Sequence, residues 1–482
     1  MLKLKIEYGA PAGQKPLIGV FIFGEENRNF DSLLKKYQIV PKVIRESGFS
    51  GKKDEVFESY IPQGGGLSGF IFLGIGKETI SDNVRRAGGW LAGIITKKKI
   101  TGVKLLHLGL MAESIGPFIE GLVLGGYSYD RFKTEKNGEH TVRVIFDESV
   151  KASKDKIERA TAIAESSCFA RNLVNAPGNY MYPIELANQA KALARKYGIA
   201  CKVLGPKEIA ALKMGALLGV AKGSEQPPRF IHWTYNGGRP GEKPIVFVGK
   251  GVTFDSGGIS IKPSENMQEM KNDMTGAAVV IALMMVLGRI KPKINVVGIC
   301  PCVENLPDGK AYRPGDILTA GDGQTIEVIS TDAEGRLILA DALIYAEKLR
   351  PKVIVDIATL TGAVIVGLGN HAAGLLGTDE YHIGLLYKAG LKSGEKVWQL
   401  PLWDEYKEQI KSDIADMKNS GGRPGGTITA ACFLSKFVKN TPWAHVDIAG
   451  MDNQDKNHPY QPKGGTGFGV RLFTEYILNQ AK

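Results

Sequence analysis

Seven side chains suited to catalysis fall in a few short stretches of the 482-residue chain. Lys250 and Asp255 occupy Val248-Gly-Lys-Gly-Val-Thr-Phe-Asp-Ser-Gly-Gly258, and Lys262 and Asp273 follow it. Asp332, Glu334 and Arg336 lie in Ser330-Thr-Asp-Ala-Glu-Gly-Arg-Leu337. Brought together, four carboxylates repel one another unless cations sit among them. Hard oxygen donors with no cysteine and no histidine nearby favour divalent ions. Two such ions ~3.5–4 Å apart can share bridging acids and activate one water. Taken singly, each acid has a plainer reading: Asp273 as a charge at a helix N-terminus, Asp332 as a cap. Lys250 fits least well. A lysine of ordinary pKa ~10.4 must lose its proton before it can ligate, so from the residues alone it reads as a charge-balancing group.

The elements that must carry these groups follow from the hydrophobic pattern. Pro244-Ile-Val-Phe-Val248 is an unbroken apolar run, as expected of a parallel strand buried on both faces. Polar groups beyond the end of such a strand stand where α/β proteins place their ligands. Around it the pattern predicts strands at 200–204, 230–235, 294–299 and 353–357, and helices at 184–197, 207–212, 276–287 and 337–348. A long Pro- and Gly-rich loop is expected after residue 299. This alternation predicts an α/β catalytic domain whose mostly parallel sheet is covered by helices on both faces. Residues 1–150 read as a separate N-terminal α/β domain, with strands at 17–23, 69–73, 103–108 and 142–146 and helices at 81–96 and 115–124. Nothing there converges on chemistry, and the Gly64-Gly-Gly66 turn is too weak a signal for a phosphate loop. A helix from about Lys151 leads through the Asn/Pro/Gly-rich segment 172–183, the strongest boundary signal. The expected division is 1–150, a connector at 151–182 and a catalytic domain at 183–482.

Bulk properties exclude several classes. Hydrophobic content of 43% and charged content of 23% belong to an ordinary globular protein, too apolar for disorder. No stretch reads as a membrane span, and the N-terminus lacks a signal-peptide pattern, so the expected location is the cytoplasm. Five scattered cysteines read as free buried thiols of a reducing compartment. The net charge of +11 is spread evenly: residues 1–150 hold 21 basic against 17 acidic residues, and the remainder 40 against 33. Diffuse basicity is only weak support for a nucleic-acid partner.

Longer motifs add a resemblance. The stretch at 248–258, Met270-Lys-Asn-Asp-Met-Thr-Gly-Ala-Ala278, Thr331–Leu337, Gly425-Gly-Thr-Ile-Thr-Ala-Ala431 and Trp443-Ala-His-Val-Asp-Ile-Ala-Gly450 resemble, in order, the motifs of the leucyl aminopeptidase (cytosol aminopeptidase) family. The likeness covers roughly residues 170–482. It implies removal of the N-terminal residue, apolar and leucine-like, from peptides. It also implies two metal ions per subunit, zinc or manganese, with magnesium or cobalt able to substitute. Lys250, Asp255, Asp273 and Glu334 would hold one ion, and Asp255, Asp332 and Glu334 the other. Lys262 would polarise the scissile carbonyl, and Arg336 would hold a bicarbonate acting as general base. The Leu360 carbonyl and Gly362 amide would grip the peptide, while Met270, Thr359 and Ala449 would line the pocket for its first side chain. By the same resemblance the protein is a homohexamer, and some relatives also bind DNA.

Two departures stand out: Ser330 replaces a usual Asn, and Asp452 falls where an apolar pocket residue is common. His445 reads as structural, and Arg336 has a plainer alternative as the helix partner of Asp341. A two-metal phosphoesterase is the rival that the residues alone leave open.

Overall fold

The computed structural model describes residues 2–9, 17–25, 30–63, 66–78, 80–107, 114–136 and 138–481. Gly64, Gly65 and Leu108 of the expectations above lie outside them. The chain forms two compact units, one of residues 1–168 with 455–463 and one of residues 169–454 with 464–482. The division falls inside the helix Lys154–Asn175.

The first unit holds a six-stranded sheet of β1 (Leu2–Tyr8), β2 (Ile18–Phe23), β3 (Val56–Gln63), β4 (Gly66–Gly74), β5 (Gly102–His107) and β6 (His140–Phe146). Their order is β1-β6-β5-β2-β4-β3, parallel except for the β3–β4 pair. Alternation along β2 sends Val20 and Ile22 to one face, where they meet the helices Ser81–Lys98 and Ile115–Gly125. Phe21 and Phe23 go to the other, against Phe70 and Phe72, with Phe21 and Phe72 stacked at 5.2 Å. The sequence pattern missed β3, whose mix of Glu, Ser and Pro hides an edge strand.

The second unit is built on β7 (Ala200–Leu204), β8 (Arg229–Asn236), β9 (Ile245–Gly249), β10 (Gly251–Asp255) and β11 (Asn295–Asn305). The small strands β12 (Ile317–Thr319) and β13 (Thr325–Glu327) follow, then β14 (Val353–Ala358), β15 (Ala373–Gly377), β16 (Val397–Gln399), β17 (Met417–Lys418) and β18 (Trp443–Asp447). The main sheet runs β16-β15-β18-β14-β9-β11-β8-β7, with β10 also paired to β11. Its centre, β18-β14-β9-β11, is parallel, and antiparallel pairs flank it. Val246 and Val248 face a core shared with the helix Glu334–Glu347. Phe247 points the opposite way onto Phe473 of the helix Val470–Gln480, with rings 4.8 Å apart. Helices therefore cover both faces, as expected.

Two expectations need correction. β11 does not end at Ile299 but continues through Pro301 to Asn305. A proline inside a strand lacks a ladder donor. Here it stands where β11 passes from β9, paired up to Ile299–Val248, to β10, paired from Cys302–Gly251. Second, Met267–Ile290 is long and apolar enough to cross a membrane by length and composition, but 89% of its most apolar window is buried inside the unit. The helix Thr275–Ile290 is apolar all round because protein surrounds it.

Candidate metal centre and active site

Lys250 is the single residue between β9 and β10, at the C-terminal edge of the parallel strands. Its amide donates to the Ile357 carbonyl of β14 at 3.1 Å, and its carbonyl accepts from Ala277 N at 2.8 Å. The helix Thr275–Ile290 comes so close that a Cβ on Gly276 would stand 2.2 Å from the Ile357 oxygen. Glycine is what lets that helix start against the strand ends. Beyond Asp255, Gly257 (φ +87°) and Gly258 (φ +66°) take left-handed conformations and turn the chain back, and Lys262 N closes the loop onto Ser256 O at 2.9 Å.

These turns bring most of the expected residues together. Carboxylate oxygens of Asp255, Asp273 and Glu334 lie within 4.8 Å of one another, all buried. The Lys250 ammonium sits 2.8 Å from Asp273 Oδ2 and 2.8 Å from Glu334 Oε1, and donates to Thr359 O at 2.8 Å. Lys262 Nζ reaches Asp255 Oδ2 at 2.8 Å and Asp332 Oδ1 at 2.5 Å. Asp332 stands outside the buried trio, more exposed, and joins it through Lys262. Thr359 Oγ1 donates to Asp273 Oδ1 at 2.7 Å. Met270, Thr359, Leu360 and Ala449 are half-buried and Gly362 is exposed.

Charge explains the titration behaviour. Burial pushes the Lys250 and Lys262 pKa values down, but the surrounding carboxylates more than offset it, and both ammoniums are held above their ordinary range. Burial and the neighbouring Glu334 charge raise Asp255 and Asp273. With all four carboxylates ionised, as cations among them would favour, the two ammoniums leave the cluster formally two charges negative. Asp273 Oδ2 and Glu334 Oε1 are buried, and each lies 2.8 Å from the Lys250 ammonium. Clustered buried carboxylate oxygens with a net negative charge fit divalent cations.

Arg336 is buried, and burial lowers its pKa to about 10. Nη1 donates to Asn419 O at 2.8 Å, while Nε has no hydrogen-bond partner among the described residues. It does not pair with Asp341, whose oxygens accept Leu217 N and Gly321 N at 2.8 Å each and so pin the start of the helix Gly215–Ala221 and the turn at Gly321 instead. A buried guanidinium with a free donor fits a small anion. Asp452 is buried too, its oxygens engaged by Asn272 Nδ2 at 2.7 Å and Gly450 N at 3.2 Å, and burial raises its pKa to about 7.

Three supporting residues escaped the sequence reading. Asn305 Nδ2 donates to Asp255 Oδ1 at 2.8 Å and to Thr331 O at 2.9 Å, joining the two acidic loops. Asn419 accepts from Ile329 N at 2.7 Å and donates to Ser330 O at 2.7 Å, holding the loop before Asp332. Asp447, inside a quoted motif but given no role, accepts from Leu360 N, Thr361 N and Thr361 Oγ1. Its place at the end of a buried parallel strand was the signal that could have found it. His445 is fully buried, with Nδ1 2.6 Å from Asp356 Oδ1, while Asp356 Oδ2 accepts Trp443 Nε1 at 2.7 Å.

Comparison with known proteins identifies the family. Residues 168–474 match the Cytosol aminopeptidase family, catalytic domain, and residues 18–136 match the Cytosol aminopeptidase family, N-terminal domain. The chain belongs to the cytosol aminopeptidase family. A probable cytosol aminopeptidase of Geotalea uraniireducens (strain Rf4) is 44% identical over 476 residues, 96% of each chain. One of Geobacter sulfurreducens (strain ATCC 51573 / DSM 12127 / PCA) is 46% identical over 419 residues, 84% of each. Among solved structures, the bottromycin maturation enzyme BotP aligns with TM-score 0.87 and 32% identity, covering 97% of this chain and 100% of that one. Its complex with Mn aligns at 0.86 and 32%, covering 97% and 99%. As a cytosol aminopeptidase family member the chain is a metal-dependent peptidase, a hydrolase.

Proposed function

We propose that this family member removes apolar, leucine-like N-terminal residues from peptides with the help of two divalent ions. Support comes above all from the buried trio Asp255, Asp273 and Glu334, which meets within 4.8 Å beside Lys250. Lys250, Asp255, Asp273 and Glu334 would hold one ion, and Asp255, Asp332 and Glu334 the other. When bound, the ions, zinc or manganese with magnesium or cobalt as substitutes, would lower the pKa of a water and polarise the scissile carbonyl.

The remaining work falls to the chain's own groups. Lys262 keeps its proton, because burial is outweighed by Asp255, Glu334 and Asp332, and so it can donate to the oxygen that becomes negative. Arg336, with Nε unpartnered, would hold the bicarbonate that serves as proton acceptor. The Leu360 carbonyl and Gly362 amide would grip the peptide backbone. Met270, Thr359 and Ala449 would line the first side-chain pocket, and the engagement of Asp452 by Asn272 and Gly450 is compatible with an apolar one. A functional division at 1–150, 151–182 and 183–482, a homohexameric assembly, an N-terminal domain that serves either that assembly or substrate access, and a cytoplasmic location complete the proposal.

The test is Asp332→Ala and Glu334→Ala, assayed on an aminoacyl fluorophore panel with metal content measured in each sample. Hydrolysis of the leucyl substrate falls to background in both. Undiminished turnover in metal-verified variants would sink the proposal, and phosphate-ester turnover without amide turnover in the wild type would favour a phosphoesterase.

A further inference from the structure

The loop after β14 is pinned from two sides. Thr359 O accepts from Lys250 Nζ at 2.8 Å, and Leu360 N, the other end of the same peptide unit, donates to Asp447 Oδ1 at 3.1 Å. In a trans peptide the carbonyl and the N–H point in opposite directions. That unit is therefore stretched between the ammonium of the metal cluster on one side and Asp447 on the other. The next unit repeats the arrangement: Thr361 N donates to Asp447 Oδ1 at 3.4 Å, so the Leu360 carbonyl is turned away from Asp447. It accepts no hydrogen bond from the described residues. Thr361 Oγ1 gives Asp447 Oδ2 a third bond from this loop at 2.6 Å, and Ala449 N adds another to Oδ1 at 3.2 Å.

We infer that Asp447 is a positioning residue for substrate, and that it sets the direction in which the Leu360 carbonyl faces the peptide. A carbonyl can only accept, so the group it receives is a donor, and in the peptide reading given above that donor is a backbone N–H. An anionic acceptor suits this task. Both carboxylate oxygens can take N–H and O–H donors, and the residue is completely buried at the end of β18, where a strand fixes its backbone. Alanine in its place would remove both acceptor oxygens, and every one of these loop bonds would be lost. The same carboxylate also holds Ala449, so one side chain ties together the two segments expected to face the first residue of the peptide. The inference rests on the aminopeptidase reading given above.

The experiment is Asp447→Ala in the full-length, metal-loaded enzyme, with two ligands compared. A leucyl dipeptide amide offers peptide N–H groups, whereas leucinol, used as a competitive inhibitor, offers none. KM for the dipeptide amide rises about tenfold or more, in line with the loss of a buried hydrogen bond. The inhibition constant of leucinol stays within about twofold, and metal content is unchanged. If both ligands weaken together, or neither does, Asp447 does not direct that carbonyl. If Asp447→Ala fails to fold, Thr361→Val, which takes the hydroxyl away from Asp447 and also from Thr427 Oγ1 and Val364 N, must give the same split at about threefold; an equal effect on both ligands overturns the inference. Failure of the aminopeptidase reading itself would be seen separately, as a metal-loaded wild type that hydrolyses no peptide amide.

Discussion

At the scale of single residues, the site depends on neutral amides as much as on acids. Asn305 fixes one oxygen of Asp255 and a backbone oxygen beside Asp332, leaving the other Asp255 oxygen to face the cluster. Outer partners of metal ligands typically change affinity by about 10–100-fold when removed. Asn305→Ala is therefore expected to weaken manganese or zinc binding by that order, measured by competition with a chromogenic chelator, and a variant that binds as tightly as wild type would show that Asp255 needs no such support. The acids and lysines were legible in the sequence because their chemistry is uncommon beside Gly-rich turns. Asn305, Asn419 and Asp447 were not. Each acts on partners 26 to 90 residues away, and no local spacing records that distance. Arg336 shows the opposite error: the acid five residues on along its helix, Asp341, is engaged elsewhere, because the first turn of the helix Gly215–Ala221 and the turn at Gly321 take its oxygens.

At the scale of elements, β14 and β18 are joined by more than their ladder. Asp356 and His445 stand directly opposite in register, bonded at 2.6 Å and fully buried, with Trp443 on the second oxygen. Burial lowers the imidazole pKa, but Asp356, helped by Asp447, reverses this and leaves it above the ordinary 6.5. A pKa raised on folding adds stability that is complete below the unfolded value and fades as pH climbs through the folded one. His445→Gln should therefore cost most stability below about pH 6.5, with the gap to wild type narrowing toward alkaline pH, as read from urea midpoints across that range. A constant gap would mean that the imidazole does not carry the proton. Central strands and long helices were visible in sequence because burial on both faces writes continuous apolar runs. The extension of β11 was hidden because a proline ordinarily ends a strand, and only the hand-over between β9 and β10 explains why Pro301 does not.

At the scale of the whole molecule, the first unit is not contiguous in sequence. Residues 455–463 belong with residues 1–168, and Tyr460 lies in their core, 5% exposed, its hydroxyl on Asp82 at 2.5 Å. The backbone of Pro459 fills the space beside Gly89, where a Cβ would stand 2.4 Å from it. Deleting a buried aromatic ring ordinarily costs about 3–5 kcal/mol. Tyr460→Ala should destabilise the first unit by that order, seen as an earlier transition in calorimetry with the second unit's melting unchanged; coincident loss of both would show that they unfold as one. The boundary read from the sequence rested on the local Asn, Pro and Gly content of segment 172–183, which cannot register a piece returning from almost three hundred residues downstream. A chimera that exchanges only the first 168 residues between relatives would thus transplant an incomplete body. Grafts succeed only if the later nine-residue piece travels with them, so the two halves of this enzyme are constrained to change together even where their chemistry is unrelated.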